Sequence, residues 1–278
     1  MSNVTLVIKG WYGQKNFGDD LLLAALVNAL RGYVDARIVL WCRRRRYLSR
    51  IAPGARILEP WTPLRQPVAI LWGGGTQFFT FPGSDKRWSD LENIVSLFLN
   101  PKRLARAPLT ATQLLLHRLR AARLHKVAWR GAIGIGVGPF LEVNNQMEEK
   151  LKLLRDMNWL SVRDEESLKT CEQYGIQKAI LGADLAFLHP LIGKQGAATD
   201  KIIVIPRVSP MDQEWGWWEE ALQKTLRQIR PDSIEVISLC EKDHLLAKNL
   251  ATRLEARLVC WDPHVMSLDA MIERLVSA

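Results

Sequence analysis

Apolar positions along the chain follow two alternating patterns. Short runs rich in valine, isoleucine and leucine are separated by segments in which apolar residues recur every three or four positions. This alternation of strand-like runs with helical periodicity is typical of a parallel β-sheet flanked by α-helices. The predicted strands are residues 4–9, 36–41, 67–72, 128–137, 159–163 and 179–183 in the first part of the chain, and residues 201–207, 233–240 and 256–261 in the second.

Helical periodicity is clearest after the first predicted strand. Leu22, Leu23, Leu26 and Leu30 would share one face of a helix, and Asp19 precedes them as a suitable N-cap residue. The remaining predicted helices are residues 145–157, 164–174, about 213–230, about 242–255 and the segment that ends the chain.

A linker is predicted at residues 189–200, a polar stretch rich in small residues that contains a proline. We expect residues 1–188 to form an N-terminal α/β domain with a basic helical insertion at about 88–126, and residues 201–278 to form a C-terminal α/β domain. Three strands are predicted in the second domain before a final helix, where a βαβ series would ordinarily continue. We therefore expect the second domain to be incomplete in this chain.

The composition indicates an anionic partner. The 278 residues include 38 lysines and arginines against 29 aspartates and glutamates, which gives a formal net charge of +9. Such a surplus favours nucleic acid, a membrane surface or a phosphorylated substrate as the partner. Because the sequence has no recognisable DNA- or RNA-binding motif, nucleic acid is not expected.

Cysteine usage and hydropathy indicate the compartment. The four cysteines are far apart and form no C-x-x-C pair, which argues against a zinc cluster and favours reduced structural thiols. The N-terminus lacks the basic and long apolar regions of a signal peptide, and no stretch approaches the roughly 20 apolar residues of a membrane span. We expect a cytoplasmic protein that binds no metal.

Two basic stretches leave two interpretations open. They are RRRR at residues 43–46 and a longer segment at residues 101–126, which mixes leucines with arginines. A solvated helix with a buried leucine face explains the longer segment without a partner. A surface helix that rests on anionic lipid also explains it, and would make the protein peripheral on the inner face of the membrane.

The loop GWYGQKNFGDD, residues 10–20, carries the most informative motif. A helix N-terminus that follows a strand and glycines ordinarily binds phosphate through its free N–H groups. Here Asp19, as the predicted cap, would occupy those groups, and Asp20 would add a second negative charge. A neutral ligand with hydroxyl groups suits the site better, since carboxylates accept hydrogen bonds from hydroxyls and can act as general bases. The alternative is a capped turn with no ligand.

Two glycine-rich segments follow or end predicted strands. WGGGTQF, residues 72–78, places Gly74 and Gly75 where a parallel sheet ordinarily lines its ligand crevice, although a tight turn packed against its neighbours explains them too. GIGVGPF, residues 134–140, has a proline where a dinucleotide-binding helix would start, so it fails the Rossmann fingerprint.

Charged residues at further strand ends are candidates for substrate contacts. Arg163 could offer a bidentate fork to a carboxylate or phosphate, or could form a salt bridge with Asp164 or a neighbouring acid. Asp164 is predicted to cap the following helix. Asp184 also follows a strand, and Arg207 follows the first strand of the second half. His189 is predicted to be an exposed loop residue rather than a catalyst.

Five motifs in order resemble those of the polysaccharide pyruvyltransferases, most closely of the bacterial cell-wall branch. They are G-W-Y-G-Q-K-N-F-G-D-D, W-G-G-G-T, G-I-G-V-G-P, V-R-D-E-E-S-L with its following Y-G-I, and G-A-D-L-A-F-L. The resemblance is clear from residue 4 to about residue 190. It implies two Rossmann-like α/β domains arranged as in type-B glycosyltransferases, with the site in the cleft between them. It also implies transfer of pyruvate from phosphoenolpyruvate onto two sugar hydroxyls as a cyclic ketal, without a metal or organic cofactor.

The implied chemistry gives roles to residues already noted. The two arginines would bind phosphoenolpyruvate, and the aspartate loop would serve a lipid-linked or polymeric saccharide acceptor. Family members usually carry an Arg-x-His motif late in the second domain, whose histidine would be the natural general acid, and this sequence has no match to it. Asp19, Asp20 and Asp184 are the candidates to accept hydroxyl protons, and Asn16, Gly74, Gly75, Arg163 and Arg207 are the candidates for substrate binding.

Two other functions stay open from the sequence. The same architecture supports a nucleotide-sugar glycosyltransferase, which would release a nucleoside diphosphate instead of phosphate. A membrane-associated scaffold in a wall-synthesis complex would bind vesicles and no donor at all.

Overall fold

A computed structural model describes residues 4–42, 46–59, 62, 64, 66–80, 127–193, 200–208 and 216–277. The predicted helical insertion and the basic stretch at 101–126 lie outside the described residues. Residues 43–45 of the arginine run and residues 194–199 of the predicted linker also lie outside them.

The first sheet has eight described strands, and every ladder between them is parallel. Its order is β3-β2-β1-β4-β6-β7-β8, and β5 pairs with β6 beyond the end of β4. This confirms the predicted parallel sheet, although β3 and β5 were not predicted. The strands are β1 (Thr5–Lys9), β2 (Arg37–Trp41), β3 (Arg56–Ile57), β4 (Val68–Gly73), β5 (Thr76–Thr80), β6 (Val127–Phe140), β7 (Trp159–Val162) and β8 (Ala179–Leu181).

The second sheet has three described strands in the order β11-β10-β9, again parallel. They are β9 (Lys201–Val204), β10 (Ser233–Ser238) and β11 (Arg257–Cys260). The strand β9 ends three residues before Arg207, so this arginine lies in the loop that follows the strand rather than at its last position.

Seven described α-helices accompany the two sheets, and two short 3-10 helices cover Leu185–Leu188 and Glu241–Asp243. Side-chain caps fix several helix starts, as at Asn144, Asp164 and Ser267, each of which accepts a backbone N–H three residues on. The α-helices are α1 (Phe17–Tyr33), α2 (Leu48–Ile51), α3 (Asn145–Arg155), α4 (Glu165–Gln173), α5 (Gly216–Ile229), α6 (His244–Arg253) and α7 (Leu268–Val276).

The chain forms two compact units. The first comprises Met1–Trp11, Leu26–Arg44 and Gly54–Leu185, and the second comprises Tyr12–Ala25, Arg45–Pro53 and Ala186–Ala278. The loop that bears the two aspartates is therefore counted with the C-terminal residues, and helix α1 passes from the second unit to the first at Leu26. The predicted domain boundaries stay a prediction.

Each unit has its own apolar core. In the first, alternate residues of the strands face Met147, Leu151 and Leu154, which follow the helical spacing of α3. In the second, Val236 of β10 packs against buried residues of α6, among them Leu250. All four cysteines are free thiols, in agreement with the predicted reduced state, and Cys42 and Cys171 are buried.

Candidate functional site

Helix α1 begins at Phe17, so the prediction that Asp19 caps it is wrong. Asn16 is the cap: its carbonyl accepts the first helical N–H, from Asp20 at 2.9 Å, and its side-chain oxygen accepts the N–H of Gly18 at 3.1 Å. Asparagine and aspartate are both favoured at helix N-caps, and the fold of the loop places the cap at Asn16, three positions before the predicted Asp19. Asp19 and Asp20 lie in the first helical turn, where negative charge complements the helix dipole.

Asp20 is completely buried and both of its carboxylate oxygens accept hydrogen bonds. The hydroxyl of Tyr47 donates to Oδ1 at 3.1 Å, and the indole N–H of Trp261 donates to Oδ2 at 3.1 Å. Tyr47 also accepts the backbone N–H of Lys15 at 2.9 Å. Both oxygens of this buried carboxylate are therefore engaged, and they join Tyr47 and Trp261 to the first turn of α1.

Other residues of the second unit hold the same loop in place. The N–H of Phe17 donates to the carbonyl of Leu239 at 2.9 Å, and the ring of Phe17 meets that of Trp261 edge-on at 5.2 Å. The ammonium of Lys15 lies 3.6 Å from the carboxylate of Asp262. The loop conformation therefore depends on residues more than two hundred positions away along the chain.

Burial controls the protonation of both aspartates. It raises the pKa of Asp20 to about 7, against the hydrogen bonds from Trp261 and Tyr47, which lower it. Burial also raises the pKa of Asp19 to about 6, against the positive charge of Arg207 and a hydrogen bond from Asn16. Carboxyls of this kind are ordinarily fully ionised at neutral pH, whereas these two have pKa values close to neutral pH.

Asp19 differs from Asp20 in being only half-buried. The groups that lower the pKa of Asp19 are Arg207 and Asn16, whereas Tyr47 and Trp261 hydrogen-bond to Asp20. Arg207 is itself exposed. Of the two aspartates, Asp19 is therefore the one that can exchange a proton with a ligand. We call Asn16, Asp19, Asp20, Tyr47 and Trp261 the aspartate cluster.

A second group of polar residues belongs to the first unit and surrounds Arg163, which follows β7. Its Nε lies 3.0 Å from Asp164, a terminal nitrogen donates to the hydroxyl of Thr76 at 3.1 Å, and the other lies 3.7 Å from Asp184. The Arg163 side chain is about one-third exposed. The salt bridge to Asp164, which the sequence left as an alternative, is present. We call Thr76, Gly136, Arg163, Asp164 and Asp184 the arginine cluster.

Gly136 of β6 makes room for this arrangement. A Cβ at this position would lie 2.9 Å from the hydroxyl of Thr76 and 3.2 Å from Nε of Arg163. Both distances are shorter than ordinary carbon contacts, so the guanidinium can lie against the strand only because residue 136 has no side chain. The central glycine of the G-I-G-V-G-P motif therefore supports the arginine cluster, and the motif lies within β6 instead of forming a dinucleotide loop.

Asp164 is the N-cap of α4, as predicted, and it stays ionised. Its Oδ1 accepts the N–H of Ser167 at 2.7 Å. Partial burial raises the pKa of Asp164, but the hydrogen bonds from Ser167 and Arg163 and the charge of Arg163 outweigh it, so the pKa lies below its usual value. Glu165 and Glu166 occupy the first turn of α4.

Gly74 and Gly75 form the turn between β4 and β5, and both have positive φ, of 60° and 72°. The N–H of Gly74 donates to the carbonyl of Ile133 at 3.0 Å, and the carbonyl of Gly75 accepts the N–H of Gly136 at 2.9 Å. These backbone groups therefore continue the pairing with β6, which matches the interpretation as a tight turn. Contact of this turn with a substrate stays a prediction.

His189 is buried, at 6% exposure, so the prediction of an exposed loop histidine is wrong. Its Nδ1 accepts the N–H of Leu191 at 3.4 Å, which leaves Nε2 to carry the proton toward the carboxylate of Asp269 at 3.4 Å. His189 directly follows the 3-10 helix Leu185–Leu188, and its side chain is buried there. Composition alone does not reveal this burial.

The predicted site residues thus fall into two groups. Asn16, Asp19, Asp20 and Arg207 belong to the second unit, and Gly74, Gly75, Arg163 and Asp184 belong to the first. The sequence analysis missed Tyr47, Trp261 and Thr76, which complete the two clusters. Thr76 directly follows the glycine turn and could have been noticed there. Tyr47 and Trp261 carry no local signal, because they meet Asp20 only in the folded chain.

The described residues contain no group of three or more histidines, cysteines and carboxylates close enough to hold a metal ion. Within the same part of the chain, every helix is too short or too polar to cross a membrane. What the two clusters can do chemically is transfer protons, through Asp19, and hold an oxyanion, through the exposed part of Arg163.

Comparison with known proteins points to one family. The family model of the polysaccharide pyruvyl transferases matches residues 16–265. The match begins at Asn16, the cap of α1, and includes the described residues of both clusters. No curated protein matches the chain.

Proposed function

The chain belongs to the polysaccharide pyruvyl transferase family, and from that premise we propose that it transfers pyruvate from phosphoenolpyruvate to two hydroxyl groups of a saccharide, as a cyclic ketal. The observation that carries the proposal is the half-buried Asp19, whose pKa is raised to about 6 by burial. A carboxyl that titrates near neutral pH is suited to take a proton from a hydroxyl and to return it.

The proposed reaction balances with the residues at hand. The methylene carbon of phosphoenolpyruvate gains a proton, and the oxygen of one sugar hydroxyl bonds to C2. The bond from C2 to the phosphate oxygen breaks, and the oxygen of the second hydroxyl takes its place on C2. One of the two hydroxyl protons ends on the new methyl group and the other on hydrogen phosphate. The chain needs to supply proton transfer and charge stabilisation, and no oxidant or metal.

In this proposal the aspartate cluster serves the acceptor. Asp19 accepts the proton of the attacking hydroxyl, and Asp20 holds the first turn of α1 through Tyr47 and Trp261. The two carboxyls differ in exposure, which is why the proton-transfer role goes to Asp19 and the positioning role to Asp20. Asn16 caps helix α1 and also orients the Asp19 carboxyl through its side-chain amide.

The arginine cluster serves the donor. Phosphoenolpyruvate brings a carboxylate and a phosphate, and Arg163 can offer N–H donors from its exposed third. Thr76 and Asp164 fix the guanidinium plane, so little conformational entropy is lost when an oxyanion binds. Arg207 and Asp184 are the further residues that we expect to contact substrate. The two units would be arranged as in type-B glycosyltransferases, with both substrates in the cleft.

The acceptor we propose is a saccharide unit of a cell-wall or exopolysaccharide precursor, either lipid-linked or polymeric. An acceptor carried on lipid would keep the enzyme in the cytoplasm at the inner face of the membrane. The surplus of nine positive charges supports attraction to an anionic surface.

The test is acceptor-dependent release of phosphate from phosphoenolpyruvate. The purified chain is mixed with phosphoenolpyruvate and glycosides that have a free primary hydroxyl and a free secondary hydroxyl two carbons away, since such diols close a six-membered ketal. Mass spectrometry should find the pyruvylated glycoside. Release of nucleoside diphosphate from a sugar nucleotide would instead identify a glycosyltransferase. Vesicle binding without binding of either donor would identify the scaffold.

A further inference from the structure

Three neighbouring strands of the first sheet carry large side chains at or near their carboxyl ends, and the middle one contacts the other two. Lys9 ends β1, Trp41 ends β2, and Trp72 is the next-to-last residue of β4. The parallel register places Lys9 directly beside both tryptophans. Its ammonium lies 4.3 Å from the ring centroid of Trp41 and 5.3 Å from that of Trp72. The lysine therefore lies between two aromatic faces at the carboxyl edge of the sheet.

Lys9 occupies a position where the strand pattern calls for an apolar residue. Side chains two apart on a strand share a face, so Lys9 continues the row that contains Val7, which is fully buried in the core of the first unit. Trp72 belongs to the same core, and Trp41 packs against it. Burial accordingly lowers the pKa of Lys9. A charged group at the end of a core row is costly unless it has a counter-ion.

The ion pairs of the described residues include no carboxylate for Lys9. In the same part of the chain, Arg163 pairs with two carboxylates, and Lys15 pairs with Asp262. The tryptophan faces attract the positive charge but accept no ordinary hydrogen bond, so the three N–H donors of the ammonium are not satisfied by them. An oxyanion would satisfy both the charge and the donors.

The position of Lys9 in the sheet is one at which ligands bind. The strand order β3-β2-β1-β4 reverses between β1 and β4, because the chain first proceeds outward from β1 and then returns to its other side. In open parallel sheets the crevice at such a reversal, at the carboxyl ends of the strands, is where ligands bind. Lys9 ends one of the two strands at the reversal, and Trp72 lies near the end of the other.

We propose that Lys9, framed by Trp41 and Trp72, binds a phosphate or carboxylate group of a substrate. The tryptophans exclude water around the ammonium and leave its N–H donors for the ligand. The assignment of this phosphate or carboxylate to a substrate of pyruvyl transfer rests on the proposed function. The oxyanion has two sources, which are phosphoenolpyruvate and the diphosphate of a lipid-linked acceptor.

The test compares anion binding by wild type, Lys9→Met, Lys9→Arg and Lys152→Met, measured by isothermal titration calorimetry on the full chain. Lys152 is an exposed residue of α3 and is the matched control, since it undergoes the same change of charge and shape. The probes are phosphoenolpyruvate, inorganic phosphate, pyruvate and inorganic pyrophosphate. Thermal unfolding of each variant is recorded beside the titrations. Lys9→Met should fold at least as stably as wild type, because it replaces a charge in a core row with an apolar side chain of similar length.

The expected result is that Lys9→Met weakens binding of at least one anion by about 10- to 100-fold, that Lys9→Arg keeps much of the affinity, and that Lys152→Met changes nothing. Loss of phosphoenolpyruvate binding assigns Lys9 to the donor, and loss of pyrophosphate binding alone assigns it to the acceptor. Loss of pyrophosphate binding alone would support an anion site at Lys9 even if the chain showed no pyruvyl transfer. Equal affinities in wild type and Lys9→Met for every anion would overturn the inference while leaving the proposed function intact. Wild type that binds none of the four would overturn it as well.

Discussion

The aspartate cluster and the arginine cluster contain the same kind of carboxyl in opposite electrostatic situations. Burial raises the pKa values of Asp19 and Asp20 to about 6 and 7, against neutral hydrogen-bond donors and, at Asp19, the charge of Arg207. Asp164 touches a guanidinium and accepts a backbone N–H, and its pKa is lowered.

The contrast shows that the partner decides the chemistry of a carboxyl more than its position at a helix start. All three aspartates lie in or beside the first turn of a helix, where the dipole favours ionisation. In the aspartate cluster desolvation exceeds that effect, and the carboxyls can move protons. In the arginine cluster the cation prevails, and the carboxyl serves as a fixed charge that orients Arg163.

Replacing Asp19 should cause the largest loss of activity. Asp19→Asn keeps the shape of the side chain and removes its ability to accept a proton, so the rate of phosphate release from phosphoenolpyruvate should fall by about 10²–10⁴-fold. Initial rates with saturating donor and acceptor measure the effect.

The matched control for this change is Asp156→Asn, an exposed aspartate at the end of α3. It should keep the wild-type rate. A similar rate in Asp19→Asn and wild type would remove Asp19 from the reaction.

Removing the guanidinium should cause the next largest loss. Arg163→Ala should cost about 2–4 kcal/mol of transition-state stabilisation, which corresponds to roughly 10²–10³ in kcat/KM for phosphoenolpyruvate. It should also raise the pKa of Asp164, because Arg163 is one of the groups that lower it. Arg227→Ala, at an exposed position of α5, is the control. Unchanged kcat/KM would exclude Arg163 from the donor site.

The strands and the helix starts could be predicted from the sequence because their signals are local. The apolar runs at 4–9 and 36–41 became β1 and β2 within one residue, and Asp164 was recognised as a cap. The error at Asp19 has the same origin, since Asn16 and Asp19 are both good caps and only the fold of the loop decides between them.

The composition of the site could not be predicted, because its contacts join distant parts of the chain. Asp20 is 27 residues from Tyr47 and 241 from Trp261. No local sequence pattern predicts contacts between residues so far apart in the chain. Lys9 did carry a signal, since it interrupts a core row at a strand end, but its meaning appears only when β2 and β4 place tryptophans beside it.

Crowding the arginine cluster should lower stability moderately. Gly136→Ala places a methyl group 2.9 Å from the hydroxyl of Thr76, which should destabilise the fold by about 1–3 kcal/mol and displace Arg163. Gly32→Ala is the matched control, since nothing lies within 4 Å of its Cβ and alanine favours a helix by about 1 kcal/mol. Urea denaturation of both variants measures the difference. Equal stabilities would mean that the strand and the guanidinium are not in contact.

The last expected effect is a change in how stability depends on pH. The folded protein holds a proton on Asp20 up to a pKa of about 7, whereas the unfolded chain releases it near 3.8. Folded protein therefore binds more protons between these values, and this carboxyl makes the fold less stable as pH rises from about 4 to about 7. Asp20→Asn should reduce that slope, whatever it does to stability at a single pH. A slope as steep as in wild type would contradict the burial of an ionisable group at residue 20.

The most direct measurement is an NMR titration of the aspartate carboxyl carbons, with Asp19→Asn, Asp20→Asn and Asp164→Asn to assign the signals. The contrast between the clusters predicts two carboxyls that titrate at about 6 and about 7, and one, Asp164, that titrates below its usual value of 3.8. If all three carboxyls titrate together below pH 4, the aspartate cluster is an ordinary helix start and proton transfer must be sought elsewhere.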